Sequence, residues 1–353
     1  MSNSISQKKV DSANQIELLP AVANYLNVLN QQLLPAFINT GSIPNAINAR
    51  DGLANLTRTF VTEAVDIPLI IDDIIEFDAD IAHTETDDAY DVPVRIFYPS
   101  LPIDPAEHTK PTSLPVMLYF HGGGGTAGSV SVYHQVLCRL AKYTGHIVVA
   151  PEYRLAPENP YPCGQNDACT AMLGLNKLLA RRQIDPTHIV VAGDSHGSAL
   201  VTNLLRDARV RQSAITATIS AQVLIYPSVD FTMSCPSINK YASGYLLSRD
   251  RISWYGEQYF QHGEDRQAKS ALFASQDELV HQPPALIINA AIDPLYDEGT
   301  AYAAKLTESG VDTQHITYDK VIHAYLNMEN LNPDICTQTY QAISEFLSGK
   351  ISE

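Results

Sequence analysis

Gly193-Asp194-Ser195-His196-Gly197 fits the pattern G-x-S-x-G and lies between the apolar run HIVVA and the helix-like stretch ALVTNLL. A serine in that position, flanked by glycines on a sharp strand-to-helix turn, stands exposed above the sheet, because a Cβ at either glycine would collide with nearby backbone. A serine hydroxyl is a weak nucleophile until a general base takes its proton, and the base needs an orienting acid. Around such a turn the acid and then the histidine follow the serine along the chain, each released by the end of a strand. Asp293 comes directly after PALIINAAI and His323 directly after TQHITYDKVI. The chemistry these three residue types can do together is acyl transfer.

Rival residues exist for each role. Asp230 also ends an apolar run, AQVLIYPSVD, and is the second candidate for the acid. Asp297 lies beyond the turn expected at Asp293-Pro294, which puts it in or near the next helix, facing away. His262, His281 and His315 lack a strand-end position. His196 adjoins Ser195 on a turn entering a helix, where neighbours point in different directions, so it is not expected to serve as the base.

The stretch FHGGGGTAGS admits two incompatible readings. Gly123, Gly125 and Gly128 spell G-x-G-x-x-G after an apolar run, the fingerprint of a dinucleotide cradle, with Glu152 ending the next run as a ribose ligand. Alternatively, His121 followed by glycines is a loop whose backbone N–H groups form an oxyanion hole. The first reading leaves the serine motif, Asp293 and His323 as coincidences. The second accounts for all of them, because acyl transfer through a serine needs backbone donors facing the developing negative charge. It requires no organic cofactor and no metal. The five cysteines, Cys138, Cys163, Cys169, Cys235 and Cys336, form no C-x-x-C pair and read as reduced.

The elements that must position these residues alternate. The strand-like runs are VPVRIFYP, LPVMLYFHGG, GHIVVAPEYR, HIVVAGDS, AQVLIYPSVD, PALIINAAIDP and the weaker TQHITYDKVIH, with helical patterns between them. Such alternation predicts an α/β fold with a mostly parallel sheet covered by helices on both faces, and function at the carboxyl ends of the strands. The helix-like SVYHQVLCRLAKYTG ends at Gly145, a residue suited to a helix C-cap. From Ile16 to Phe37 the apolar residues recur at helical spacing, with no Lys or Arg, which favours packing on the protein's own body over a membrane surface. Between Phe231 and Gln282 no strand is expected, and Ile252, Tyr255 and Tyr259 share a helical stripe beside Trp254. We therefore expect a helical cap made of residues 1–50 and an insertion at 231–282, over a core of 51–230 and 283–353.

The formal charge of −16 argues against nucleic acid as a partner, since phosphate backbones are bound by basic faces. The N-terminus, MSNSISQKKVDSANQIELLP, lacks the apolar core of a signal peptide, and no run reaches the length of a membrane span, so a cytoplasmic location is expected.

In their order, HGGG at His121 to Gly124, APEYRLAPENPYP at Ala150 to Pro162, GDSHG at Gly193 to Gly197, PPALIINAAIDPLYDEG and VIHAY resemble the hormone-sensitive-lipase-like carboxylesterases of the α/β-hydrolase fold. The resemblance covers roughly Asp91 to the C-terminus. It implies Ser195 as nucleophile, Asp293 as orienting acid and His323 as base, with the N–H groups of Gly123, Gly124 and His196 as oxyanion hole. It implies that His121 braces the glycines, and that the substrate is a small-molecule ester with a short acyl chain. It also suggests a homodimer. The family usually shows GDSAGG where this chain has GDSHGS, so an imidazole fills space near the acyl site. An amidase or deacetylase on the same triad is the alternative activity. A ligand-binding role, as in the similar plant gibberellin receptor, is disfavoured because His323 is present.

Overall fold

A computed structural model of the chain describes residues 17–33, 44–78, 89–101 and 112–351. The strands are β1 Leu69–Ile75, β2 Val92–Tyr98, β3 Thr112–Phe120, β4 Ile147–Pro151, β5 Ile184–Asp194, β6 Ile219–Ile225, β7 Ala285–Ile292 and β8 Thr313–Ile322. They form one sheet in the order β1-β2-β4-β3-β5-β6-β7-β8. β2 pairs antiparallel with both β1 and β4, and every other pairing is parallel.

The central strands alternate between two buried faces. Val116, Leu118 and Phe120 join Val149, Val191 and Leu224 in one apolar cluster, while Met117 and Tyr119 join Val148, Val190 and Val223 in the other. This is why the runs read as continuously apolar: each face of a mostly parallel sheet is covered by helices. The principal helices are α1 Pro20–Val28, α2 Ala46–Phe60, α3 His134–Thr144, α4 Cys163–Leu173, α5 Leu175–Arg181, α6 His196–Arg206, α7 Arg249–Tyr259, α8 Tyr296–Glu308 and α9 Pro333–Ile351. Helices α4, α6 and α8 cover the first face, and α3 and α9 the second. Gly145 ends α3 in the left-handed region, with φ 68° and its N–H on the carbonyl of Ala141.

Strand β1 escaped the sequence reading because LIIDDII carries two aspartates at its centre. Asp72 stands opposite Arg95 in the register and pairs with it, and Asp73 binds Arg181 and Arg182 on and beside α5. The residues that neutralise this strand are distant in sequence.

The helix expected over Ile16 to Phe37 is α-helical from Pro20 to Val28 and π-helical from Leu29 to Leu33; Ile16 and residues 34–37 lie outside the described residues. Its Val22 and Leu26 pack on Ile292, Ile322 and Met328, at the end of the sheet that releases Asp293 and His323. Helix α2 starts at the cap of Asn45, whose side chain accepts from the N–H of Asn48, and runs without a break through position 50. Between Phe231 and Gln282 the chain forms α7 and shorter helical turns, with no strand. Among the described residues no helix is long and apolar enough to cross a membrane.

Candidate active site

Ser195 closes the turn between β5 and α6 with φ 51° and ψ −119°, a strained combination for a residue with a side chain. The strain is held by close packing of backbone. A Cβ on Gly197 would strike the carbonyl of Phe120 at the end of β3, and one on Gly193 would strike Gly197, so only glycine lets the turn sit this low.

The structure brings Ser195, His323 and Asp293 together from three strand ends. Ser195 Oγ lies 2.9 Å from His323 Nε2, and His323 Nδ1 lies 2.7 Å from Asp293 Oδ2. The other oxygen, Oδ1, accepts the N–H of Leu295 at 2.9 Å, and Asp293 is buried. The ring of Tyr226 meets the His323 imidazole edge to face at 4.9 Å. This geometry fixes the tautomer that matters: Nδ1–H donates to the carboxylate, leaving a lone pair on Nε2 for the serine proton. Asp230 is elsewhere engaged, its two oxygens accepting from the N–H and hydroxyl groups of Thr232 and Ser234. Asp297 sits on α8 and accepts from the N–H of Ser237. His315 lies within β8 beside Asn289, and His262 and His281 are exposed.

The glycine loop packs against the serine turn. Gly123 and Gly124 adopt φ 121° and 64°, and the ring of Tyr255 lies so close to Gly124 that a Cβ would meet its Cγ at 2.5 Å. Among the described residues nothing accepts from the N–H groups of Gly123, Gly124 or His196, and all three residues border one cavity with Ser195 and His323. His121 stacks between Tyr133 and Tyr153 at 5.4 and 4.5 Å, and its Nδ1 lies 2.8 Å from the carbonyl of Gly122. Burial drives its pKa down to about 4, so the ring is a neutral brace.

Asp194 was not singled out from the sequence, yet it joins loop to turn. Fully buried, it accepts from the Gly122 N–H and the hydroxyls of Tyr119 and Tyr133, each at 2.9 Å. Desolvation pushes its pKa up and these donors oppose the shift. Its place inside the G-x-S-x-G motif was the available signal. Glu152 accepts the N–H of Val130 at 2.9 Å, so the carboxylate required by the dinucleotide reading is instead bound to the loop's own exit.

The His196 side chain packs with Gly125, Phe231 and Tyr259, the last ring at 4.6 Å edge to face. Burial lowers its pKa to about 3, which leaves it neutral. The cavity has a volume of about 540 Å³ and lies beneath α1, α2 and α7, with Tyr25, Leu29, Leu53, Phe60, Ile252 and Tyr255 in its wall. Trp254 is half-buried against Tyr255 and does not line it. The cysteines are free, and among the described residues no cluster of His, Cys, Asp or Glu has the form of a metal site.

The α/β-hydrolase fold family matches residues 117–327, a span that holds the glycine loop, the serine turn, Asp293 and His323. The ethyl acetate hydrolase of Pseudomonas putida is 34% identical over 248 residues, 70% of this chain and 75% of that protein. The chain belongs to the hormone-sensitive-lipase-like carboxylesterases of the α/β-hydrolase fold. As a member of that family it is a carboxylic ester hydrolase. The carboxylesterase NlhH of Mycobacterium tuberculosis is 33% identical over 263 residues, 72% of this chain and 77% of that protein. Among solved structures, the hyperthermophilic esterase of the archaeon Pyrobaculum calidifontis superposes with a TM-score of 0.77 at 29% identity, over 94% of this chain and 99% of that one. The carboxylesterase architecture thus extends over nearly the whole length, well beyond the motifs.

Proposed function

We propose that the protein is a serine carboxylesterase working through an acyl-enzyme, with Ser195 as nucleophile, His323 as base and Asp293 as the acid that orients it. The observation carrying this reading is the continuous chain of 2.9 and 2.7 Å contacts from Ser195 through His323 to Asp293, opening on the cavity. Ser195 Oγ attacks the ester carbonyl carbon as its proton passes to His323 Nε2. The carbonyl oxygen becomes an oxyanion facing the N–H groups of Gly123, Gly124 and His196. Collapse breaks the bond to the alcohol, which leaves with the proton from Nε2. Water then repeats the sequence on the acyl-serine, releasing the carboxylic acid and restoring the Ser195 hydroxyl.

Of the described residues, we assign 17–33, α2 and 231–282 to the cap, and the sheet with the helices that cover it to the core. The acyl group it takes is short: Tyr255 against Gly124 narrows the space beside the glycine loop, and one relative is named for ethyl acetate. The test is initial hydrolysis rates over p-nitrophenyl esters of increasing acyl length, with wild type and Ser195→Ala side by side. Activity confined to wild type and falling with chain length is expected; activity surviving in Ser195→Ala would sink the mechanism.

A further inference from the structure

The cavity wall is largely apolar, and its two cationic residues, Arg251 and Arg266, both come from the segment 231–282. Arg251 lies one helical turn before Tyr255 on α7, and Arg266 places its guanidinium over the ring of Phe260 at 5.5 Å and beside Gly256. Elsewhere in this acidic chain the guanidinium groups are mostly paired: Arg50 with Glu158, Arg95 with Asp72, Arg139 with Glu329, Arg154 with Asp167 and Arg206 with Glu278. The half-buried Arg266 and the more exposed Arg251 make no ion pair with a carboxylate among the described residues, although acidic residues outnumber basic ones 39 to 23; Arg58, Arg211 and Arg249 are likewise without one but do not line the cavity. The two carboxylates that border the cavity cannot serve them, because Asp194 is held by Tyr119, Tyr133 and Gly122, and Asp230 by Thr232 and Ser234.

An apolar chamber with a nucleophile at its floor and two uncommitted guanidinium groups in its wall is complementary to an amphipathic anion. We propose that Arg251 and Arg266 form an anion subsite, and that the protein's substrates are esters whose far end carries a carboxylate. This deepens the serine-esterase reading and rests on it. The hydrocarbon part of such an ester would lie against α1 and α7, with the scissile carbonyl at Ser195 and the carboxylate at the two guanidinium groups. The Tyr25 and Tyr255 hydroxyls, both within the field of Arg251, flank the same region.

The test compares two matched pairs of esters: 6-acetoxyhexanoate against hexyl acetate, with the charge on the alcohol, and monoethyl adipate against ethyl hexanoate, with the charge on the acyl group. The readout is the ratio of kcat/KM, charged over neutral, at pH 8. In wild type this ratio should be one or more for at least one pair. In the Arg251→Gln, Arg266→Gln double variant it should fall by about tenfold or more, as for loss of charge-assisted hydrogen bonds. Lysine at both positions should restore part of the ratio, and glutamate should lower it further. The pair that responds identifies which part of the substrate reaches the subsite. If wild type hydrolyses the neutral esters but the ratio stays within twofold across all variants, the subsite is overturned and the esterase reading stands. If wild type hydrolyses none of the four, the esterase reading itself fails and takes the subsite with it.

Discussion

Arg50 on α2 donates through Nε to the carbonyl of Thr126 at 2.9 Å, which ties this helix to the loop carrying Gly123 and Gly124. The same guanidinium reaches the carbonyl of Ala156 and both oxygens of Glu158. Because the pair with Glu158 is largely solvent-exposed, its contribution to stability is small, and the two carbonyl contacts matter more for position. Arg50→Ala should therefore lower kcat by about tenfold with a smaller change in KM, since a misplaced oxyanion donor acts on the transition state. Steady-state kinetics on p-nitrophenyl acetate would show it; an unchanged kcat would mean that the loop holds its shape unaided.

Removal of the proposed nucleophile or base should be near-complete in effect and neutral for the fold. Ser195→Ala and His323→Ala should each reduce kcat by about 10⁴-fold or more, with circular dichroism unaltered. Asp293→Asn should cost less than either but far more than Asp230→Asn. If Asp293→Asn leaves activity near wild type, the assignment of the acid is wrong.

Glu298 is buried, with Oε1 accepting from the N–H groups of Val229 and Asp230 and no partner for Oε2 among the described residues. Desolvation first, and then the nearby carboxylates, push its pKa well up. An acid with a raised folded pKa binds more protons folded than unfolded, so its contribution falls as pH rises above the unfolded value near 4.3. Glu298→Gln keeps an acceptor for both N–H groups and removes that ionisation. It should raise the urea midpoint at pH 8 and do little at pH 4; an equal effect at both would exclude the ionisation as the cause.

Three buried imidazoles work in the opposite direction. Burial lowers His121 and His146 to about 4 and His196 to about 3. A histidine with a lowered folded pKa binds protons more readily unfolded, so stability is lost as pH falls below the unfolded value near 6.5. For His146 the shift corresponds to roughly 3 kcal/mol by pH 4. This residue lies away from the site, its Nε2 against His188 at 3.2 Å. His146→Asn should make the decline of the urea midpoint between pH 7 and pH 5 shallower, and an unchanged slope would exclude the residue from acid unfolding.

His196→Ala should enlarge the space between Gly125 and Tyr259 while keeping the backbone N–H in place. Truncating so buried a ring should lower stability by about 2 kcal/mol. The p-nitrophenyl butyrate over acetate ratio should rise, and a ratio that stays fixed would show that the imidazole does not limit the acyl group.

Much of the candidate site was legible because its residues lie in short, local patterns. Gly193 and Gly197 announce a turn that only glycine permits, and an apolar run before Asp293 and before His323 places each at a strand end. The parallel character of the sheet was legible for a related reason: strands buried on both faces read as unbroken Val and Ile. Strand β1 was not, because Asp72 and Asp73 look like loop residues until Arg95, Arg181 and Arg182 arrive from elsewhere in the chain.

The sequence by itself determined which residues are candidates for acyl transfer, the order in which they occur, and the α/β alternation that carries them. Tertiary structure alone decided which carboxylate faces His323: both aspartates follow apolar runs in the sequence, but β6 stops at Ile225, five residues before Asp230, which binds Thr232 and Ser234, whereas Asp293 directly follows β7 and meets the imidazole. It also decided that Asp194 and Arg50 bind the glycine loop, and that Arg251 and Arg266 line a cavity without acidic partners among the described residues. The reason is physical: propensity and periodicity act over a few residues, whereas hydrogen-bond partners, burial and unpaired charge depend on which distant segments meet.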